Sequence, residues 1–474
     1  MTRAVVVGSG PNGLAGAVRL AQAGLEVTVL EGADRPGGGT RTSELTVPGV
    51  LHDDCSAFHP MGVSSPYLKT LELESHGLRW LWPEIDLAHP LDDGRAGVIS
   101  RDLAETAATL GDDAAKWKRV FGPMIRNFDD IVAETFQPLT HLPRHPVTLA
   151  RFGSQALLPA TWTARRWDED PARALYIGVA AHVFGRLDTP LSGSVGLMLT
   201  AAGHHAGWPV AQGGSQSIAQ ALVRLLESLG GTVRTGITVT TRAQLREAVG
   251  FDPDVVLLDL APDGVVRLLG GELPGRIRRA FARYPYGPAV HKVDLAIEGH
   301  LPWRNENCRR AGTLHLGGTA AEVVAAEAAA ARGEMPARPF VLLGQQYLAD
   351  PSRSAGSVNP IWAYAHVPNG YAGDATEAVI DQIERFAPGA RDQIVGTHSR
   401  TAVQLAAYNP NYVGGDISAG ANTARQIAFR PRIARNPYSL GVPGVYLCSS
   451  AAPPGGGVHG MCGFNAAEAA LNRL

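Results

Sequence analysis

Paired cysteines are missing from this chain. Its four cysteines, Cys55, Cys308, Cys448 and Cys462, are scattered over 474 residues without a C-x-x-C pair. That spacing excludes a zinc ribbon and a dithiol reductase, leaves no metal site to expect, and suits a reducing, cytoplasmic compartment. An excess of charge of one sign is also missing. Lys and Arg number 42 against 44 Asp and Glu, and the formal net charge is −2, with no block of like charges. Nucleic acid and a strongly anionic membrane are therefore not expected as partners. No run reaches the roughly 18 uninterrupted apolar residues of a membrane span. The first residues do not read as a signal peptide, because Gly8 and Gly10 interrupt a short apolar run behind a single Arg3. Peripheral membrane contact is left open.

What the chain has in plenty is glycine, 55 residues, with no collagen-like period. Such glycines mark tight turns and close backbone approaches. The length exceeds what one hydrophobic core usually serves, so two intertwined domains are expected.

The clearest pattern lies at the start. Ala4, Val5, Val6 and Val7 form a short apolar run, as in a strand buried on both faces of a parallel sheet. Gly8, Ser9, Gly10, Pro11, Asn12 and Gly13 follow at once, and Leu14, Val18, Leu20 and Ala21 then repeat with helical spacing. Gly24 ends that helix and residues 27–30 supply a second strand, closed by Glu31. This is a dinucleotide-binding βαβ unit. Gly8 permits the turn, Gly10 lets the backbone approach a pyrophosphate, and Gly13 with Gly16 lets helix pack on strand. The helix N-terminus offers free N–H groups to the phosphates. Glu31 stands where it can accept from the ribose hydroxyls, and its charge disfavours a 2′-phosphate, so NADP is not expected.

The stretch 31–42 carries Gly32, Gly37, Gly38, Gly39, Thr40 and Arg41. It resembles the second glycine motif of the amine oxidase and phytoene desaturase branch of flavoproteins, which implies FAD as the cofactor. By that resemblance Gly32, Gly38, Gly39, Thr40 and Arg41 contact it. Many relatives carry Arg directly after the glycine pair, where this chain has Gly39. Arg41 either replaces that phosphate contact or is an exposed loop residue. Near the other end, residues 445–448 read as a strand, and Ser449 and Ser450 as its exit. Pro453 to Gly463, with Gly457, Val458, His459 and Gly460, leads into helical residues 465–471. This stretch resembles the C-terminal flavin motif of the same family. The resemblance implies a helix N-terminus facing the flavin pyrimidine edge, where its dipole stabilises the charge of reduced flavin. Between the two, Ser215 precedes a helix stopped by Gly230 and Gly231, and residues 232–241 and 254–259 read as strands. In the family the first of these strands contacts adenine through its backbone, here at Val239, and the usual hairpin between the two is shortened.

Further pieces are similar to the phytoene desaturase-related oxidoreductases, the branch that includes the pyridine nucleotide-disulfide oxidoreductase domain protein 2 type. They are Trp208-Pro209-Val210, Gly312 to Gly318, Asp350-Pro351-Ser352-Arg353, His366-Val367-Pro368 and Arg430-Pro431. The resemblance covers nearly the whole chain. It implies an α/β fold, with a Rossmann-like FAD-binding domain of the glutathione reductase type and an α+β substrate domain. The cofactor domain is expected at 1–75, 212–290 and 438–474, and the substrate domain at 76–211 and 291–437. The alanine-rich run 319–332 reads as a covering helix capped by Thr319.

FAD takes a hydride at N5, so the protein must hold a substrate C–H over that atom and exclude water. A base for a second proton is most readily a histidine. His459 and His59 are the candidates, with His204, His205 and His315 as further options. Trp162, Trp167, Trp208, Tyr347, Trp362 and Tyr364 suit an apolar or aromatic ligand, or a core. The branch implies desaturation or a related C–C oxidation, with oxygen, a quinone or a carrier as acceptor. Two rivals stand beside it: a redox-neutral flavin-dependent isomerase and a flavin-binding scaffold without turnover.

Overall fold

The computed structural model describes residues 2–474. Five strands form a parallel sheet in the order Val445–Leu447, Val255–Leu258, Arg3–Val7, Glu26–Leu30 and Thr232–Arg234. Ala4, Val5 and Val6 at its centre are fully buried. The helix Pro11–Gln22 starts directly behind the first strand with Pro11 in its first turn, where a missing N–H costs nothing. Across it lies the C-terminal helix Met461–Leu471. A Cβ at Gly463 would stand 1.7 Å from the Asn12 carbonyl oxygen. The two helix backbones therefore touch, and only glycine allows that crossing.

The sequence pattern overran one strand. Residues 232–241 were expected to extend throughout, but pairing ends at Arg234. Gly236 turns at φ +70°, and its amide and that of Ile237 donate to the carbonyls of Ala33 and Glu31. The segment thus folds over the loop behind the second strand instead of continuing the sheet. Where a shortened hairpin was expected, a helix, Arg242–Val249, is found, capped by the Thr241 hydroxyl accepting from the Gln244 amide at 3.2 Å. The last helix starts at Met461, four residues before the expected start, because Gly460 in the left-handed region (φ +70°) opens it.

The second sheet has seven strands, in the order Ile394–Arg400, Ala289–Glu298, Val358–Val367, Val341–Gly344, Ala311–Leu316, Ile85–Pro90 and Ala96–Ile99. Its pairs are antiparallel except Ala311–Leu316 with Ile85–Pro90. The boundary expected at residue 290 falls inside the strand Ala289–Glu298, since Ala289 and Val290 are already buried in it. The helix Asp170–Ala180 packs on strands of this sheet, and Ser192–Ala206 packs on that helix. Ala320–Ala331 covers Asp170–Ala180 with Val323, Ala326 and Ala330 buried, opened by a Thr319–Glu322 capping box.

A buried ion pair ties the two sheets' surroundings together. Arg353 donates to Asp53 at 2.5 Å, to Asp350 at 3.2 Å and to the Ala211 carbonyl at 2.8 Å, with no exposed surface on either Arg353 or Asp53. The 350–353 motif is thus architectural. Buried and fully hydrogen-bonded, such a pair is costly to break from one side only.

Candidate functional site

A cavity of about 1180 Å³ connects the parallel sheet to the seven-stranded one. Its first end is built by the glycine loops. Gly8, at φ +99°, donates to the Leu30 carbonyl and turns the chain into the first helix. A Cβ on Gly38 would sit 3.0 Å from Gly10 Cα, so the second glycine loop lies on the first. A Cβ on Gly39 would meet the Tyr412 hydroxyl at 2.4 Å. The larger residue common in relatives has no room here, because Tyr412 fills the place.

Glu31 fixes this end. Its carboxylate accepts from the amide and hydroxyl of Ser9 at 2.9 and 2.5 Å, from the Ala33 amide at 2.9 Å and from Arg41 Nη2 at 3.2 Å. Those four donors fill the acceptor positions of a carboxylate. A ribose hydroxyl must displace the Ser9 hydroxyl or Arg41 to reach it. Arg41 is only 5% exposed and lines the cavity, with its guanidinium 5.6 Å from the Tyr408 ring. It is a cation built into the wall and not an exposed loop residue. Beneath the first helix, Asp259 Oδ2 accepts from the Gly13 amide at 3.1 Å. Burial pushes the Asp259 carboxyl up to about 7, and the neighbouring Glu31 charge adds to the shift.

Midway, the C-terminal turn enters the wall. Gly455 and Gly457 have φ +117° and +140°, and Val458, a β-branched residue, is held at φ +56°. A non-glycine residue in that region costs of order 1–3 kcal/mol and persists only where the surroundings impose it. Arg430, 3% exposed, donates to the Ser450 carbonyl at 3.0 Å and lies against Gly455. It brings a positive charge to the wall beside this turn.

The far end is apolar and aromatic. Trp208, Trp362, Tyr364 and Phe184 line it, with Phe152 and Met198 from the helices above. The Trp362 indole N–H is anchored on the Cys55 carbonyl at 3.0 Å, and Trp362 meets Tyr364 edge to face at 4.9 Å. One imidazole faces this chamber, that of His182. Its Nδ1 lies 3.0 Å from the Val179 carbonyl and must therefore donate, which leaves Nε2 as a free acceptor in the neutral ring. Burial draws its pKa down to about 4, so the ring is neutral near pH 7. Behind it, at 5.1 Å between ring centres, lies His315, whose two ring nitrogens both lack partners.

The comparisons with known proteins agree with this geometry. The NAD(P)-binding Rossmann-like domain family matches residues 6–71. Over 99% of its length the chain is 24% identical to pyridine nucleotide-disulfide oxidoreductase domain-containing protein 2 of Rattus norvegicus, covering 93% of that protein. Half of the chain is 29% identical to half of the hydroxyneurosporene desaturase of Cereibacter sphaeroides. The chain is thus similar over nearly its whole length to one such oxidoreductase-domain protein, and over half of it to a desaturase. Among solved structures, an oxidoreductase from Methanosarcina mazei superposes with a TM-score of 0.63 at 15% identity, covering 99% of this chain and all of that one. A putrescine oxidase superposes with 0.61 at 19% identity, covering 100% and 98%. At such identities these two likenesses speak for the fold, a parallel Rossmann-like sheet joined to a mixed-sheet domain.

Nearly all the residues expected at the cofactor line one continuous wall. Gly8, Gly10, Pro11, Asn12, Glu31, Gly32, Gly38, Gly39, Thr40 and Arg41 are there from the N-terminal motifs. Val239, Ser449, Ser450, Gly457, Val458 and His459 join them from far along the chain. Gly13 and Gly460 do not line it; they shape the helix starts behind it.

The histidines come out differently. His59 lies outside the cavity, 1% exposed, with Nε2 on the Ser215 hydroxyl at 2.9 Å, and so is not placed to act on a ligand. His459 does face the cavity, but its Nδ1 accepts from the Met461 amide at 3.0 Å and caps the last helix. In the neutral ring Nε2 then carries the proton, and no free lone pair is left for base work. His204 is spent between the Trp117 indole and the Ser100 carbonyl. Of the aromatics, Trp167 and Tyr347 are core, and Trp162 is 57% exposed. His182, Arg430 and Asp259 were missed as site residues. The signal for His182 was slight, a lone histidine in the otherwise apolar run 174–184, whose ordinary meaning is a core residue.

Proposed function

We propose that this chain binds FAD along the cavity and dehydrogenates an apolar or aromatic small molecule in the aromatic chamber, introducing a carbon–carbon double bond. The observation that carries this reading is the continuity of the wall from the touching glycine loops, through the strained turn at Val458, to a chamber of Trp208, Trp362 and Tyr364. The volume exceeds the roughly 300–1,000 Å³ of a pocket for one small ligand, which leaves room for a dinucleotide and a second molecule.

The residues fit the cofactor. Glu31 with Ser9 and Arg41 would hold the adenosine side, Gly10 and Gly38 would admit the pyrophosphate, and the 455–459 turn with Arg430 would face the flavin. When bound, FAD supplies a hydride acceptor. The protein's own part is to bind, orient and keep water out. The aromatic walls hold an apolar chain by burial and leave it few polar partners. The Arg430 guanidinium offsets negative charge near the Gly455 turn. His182 Nε2, neutral and unpartnered, can receive the proton that a desaturation releases. Electrons then pass to oxygen, a quinone or a carrier.

The test is to purify the protein, look for bound yellow flavin, and add apolar lipids and aromatics in the absence of air. Lasting loss of the flavin absorbance on adding one compound is expected. Turnover without net bleaching would make the protein an isomerase, and a colourless protein that cannot be loaded with FAD would refute the reading.

A further inference from the structure

Charge and exposed apolar surface are unevenly spread over this molecule. Eleven large apolar side chains are exposed among the described residues, and five of them, Leu139, Leu142, Val147, Leu157 and Trp162, fall within one short stretch. The same stretch, 137–167, contains Arg144, Arg151, Arg165 and Arg166 and no Asp or Glu. A chain of net charge −2 therefore carries +4 here and −6 elsewhere. The nearest carboxylates are engaged by other groups. Glu134 is bonded to His141 and to the amides of Arg144 and His145, Asp130 lies beside His145, and Asp168 pairs with Lys116. Among the described residues, none of the four arginines has a carboxylate partner.

The stretch is also the outer wall of the chamber. The helix Pro146–Ala156 turns Leu149, Phe152 and Ala156 into the cavity, while Val147 and Arg151 face solvent. Leu139 and Leu157 do both, lining the cavity while being 44% and 60% exposed. They therefore stand at a mouth of the cavity.

We propose that this face docks on an anionic lipid surface, so that the mouth at Leu139 and Leu157 opens onto the bilayer interface. Leu142, Val147 and Trp162 enter the interfacial region, and Arg144, Arg151 and Arg165 pair with lipid phosphates. Trp162, with Arg165 stacked at 5.9 Å from its ring, has the amphipathic character that favours the headgroup level. The overall charge gave no sign of this, because acidic residues elsewhere mask the local excess. The purpose of the contact rests on reading the cavity as a chamber for an apolar substrate; the contact itself does not.

The test is flotation of the full chain with vesicles of phosphatidylcholine alone and of phosphatidylcholine mixed equally with phosphatidylglycerol, at low and high salt. Binding to the mixed vesicles, weakened by salt, is expected. Leu142→Glu with Trp162→Glu should abolish it, and Arg144→Gln and Arg151→Gln should each weaken it about fivefold, with unchanged thermal melting showing that the fold is intact. Failure of the wild type to float with the mixed vesicles, or equal flotation of the variants, overturns the proposal. So does a stable dimer that Trp162→Glu dissociates, since a second copy then covers this face. None of these readouts depends on flavin or turnover, so a negative result here leaves the proposed activity standing.

Discussion

At the nucleotide end of the cavity, Glu31 holds four hydrogen bonds and Arg41 is locked between Glu31 and the Arg35 carbonyl. At the substrate end, His315 has no partner on either ring nitrogen, and His89 and His366 each have one nitrogen without a partner. The first region is largely bonded to itself, although the Asn12 Oδ1 and the Tyr408 hydroxyl there lack partners and a ribose must displace one of the donors on Glu31. Its geometry is set by backbone and short-range contacts, and a ligand must fit it. The second is an aromatic shell with unsatisfied imidazoles behind it. Buried groups of that kind are costly, of order 1–3 kcal/mol each, and they mark a place where a proton or an ordered water has work to do. On the proposed reading, cofactor binding and chemistry fall at opposite ends of one cavity.

Five changes would break or sharpen this contrast. The largest effect is expected from His182→Gln, whose amide can still donate to Val179 but whose carbonyl oxygen accepts hydrogen bonds without being a base. Single-turnover flavin reduction should slow by about 10²–10⁴-fold with FAD still bound. His459→Gln should instead leave that rate unchanged; the reverse pattern would return the base role to His459. Next comes Gly463→Ala, whose Cβ has no space against the Asn12 carbonyl. Overpacking there should cost roughly 3 kcal/mol, read as a fall in the denaturant midpoint and loss of cofactor loading.

Glu31→Gln is expected to weaken FAD binding by roughly 1.5–3 kcal/mol, the worth of hydrogen bonds to a charged group, measured by quenching of flavin fluorescence. It should not alter the ratio of rates among substrates. The smallest effect concerns pH. Burial pushes the Asp259 carboxyl up to about 7, from an ordinary value of 3.8. The raised value means that its protonated form is favoured by folding, so its contribution to stability is lost as pH rises through that window. The stability of Asp259→Asn relative to the wild type should therefore increase with pH between those values, as followed by urea denaturation. A difference that stays flat with pH would show that Asp259 is ionised throughout.

The nucleotide end was legible in the sequence because each of its parts is local. Gly8, Gly10 and Gly13 are needed for one turn and one helix start, and Glu31 closes the strand next to them. The reading failed where an extended pattern met a turn, at Gly236, and where a residue's role depends on what lies across the chain. Gly39 is small because Tyr412, far away in sequence, fills the space, and His459 is spent on its own helix. His182 gained its role only when the end of the helix Asp170–Ala180 set its Nδ1 on the Val179 carbonyl and its ring against Trp208.

By itself the sequence determined the βαβ unit, the carboxylate that closes its second strand and the parallel order of the first strands. Those follow from turn sterics, strand burial and a single carboxylate, which act over a few residues. Only the tertiary structure decided which histidine keeps a free ring nitrogen at the cavity wall, and that Leu139 and Leu157 stand at the cavity's mouth. A hydrogen-bond tautomer and a cavity mouth are made by neighbours in space, and no spacing along the chain encodes them.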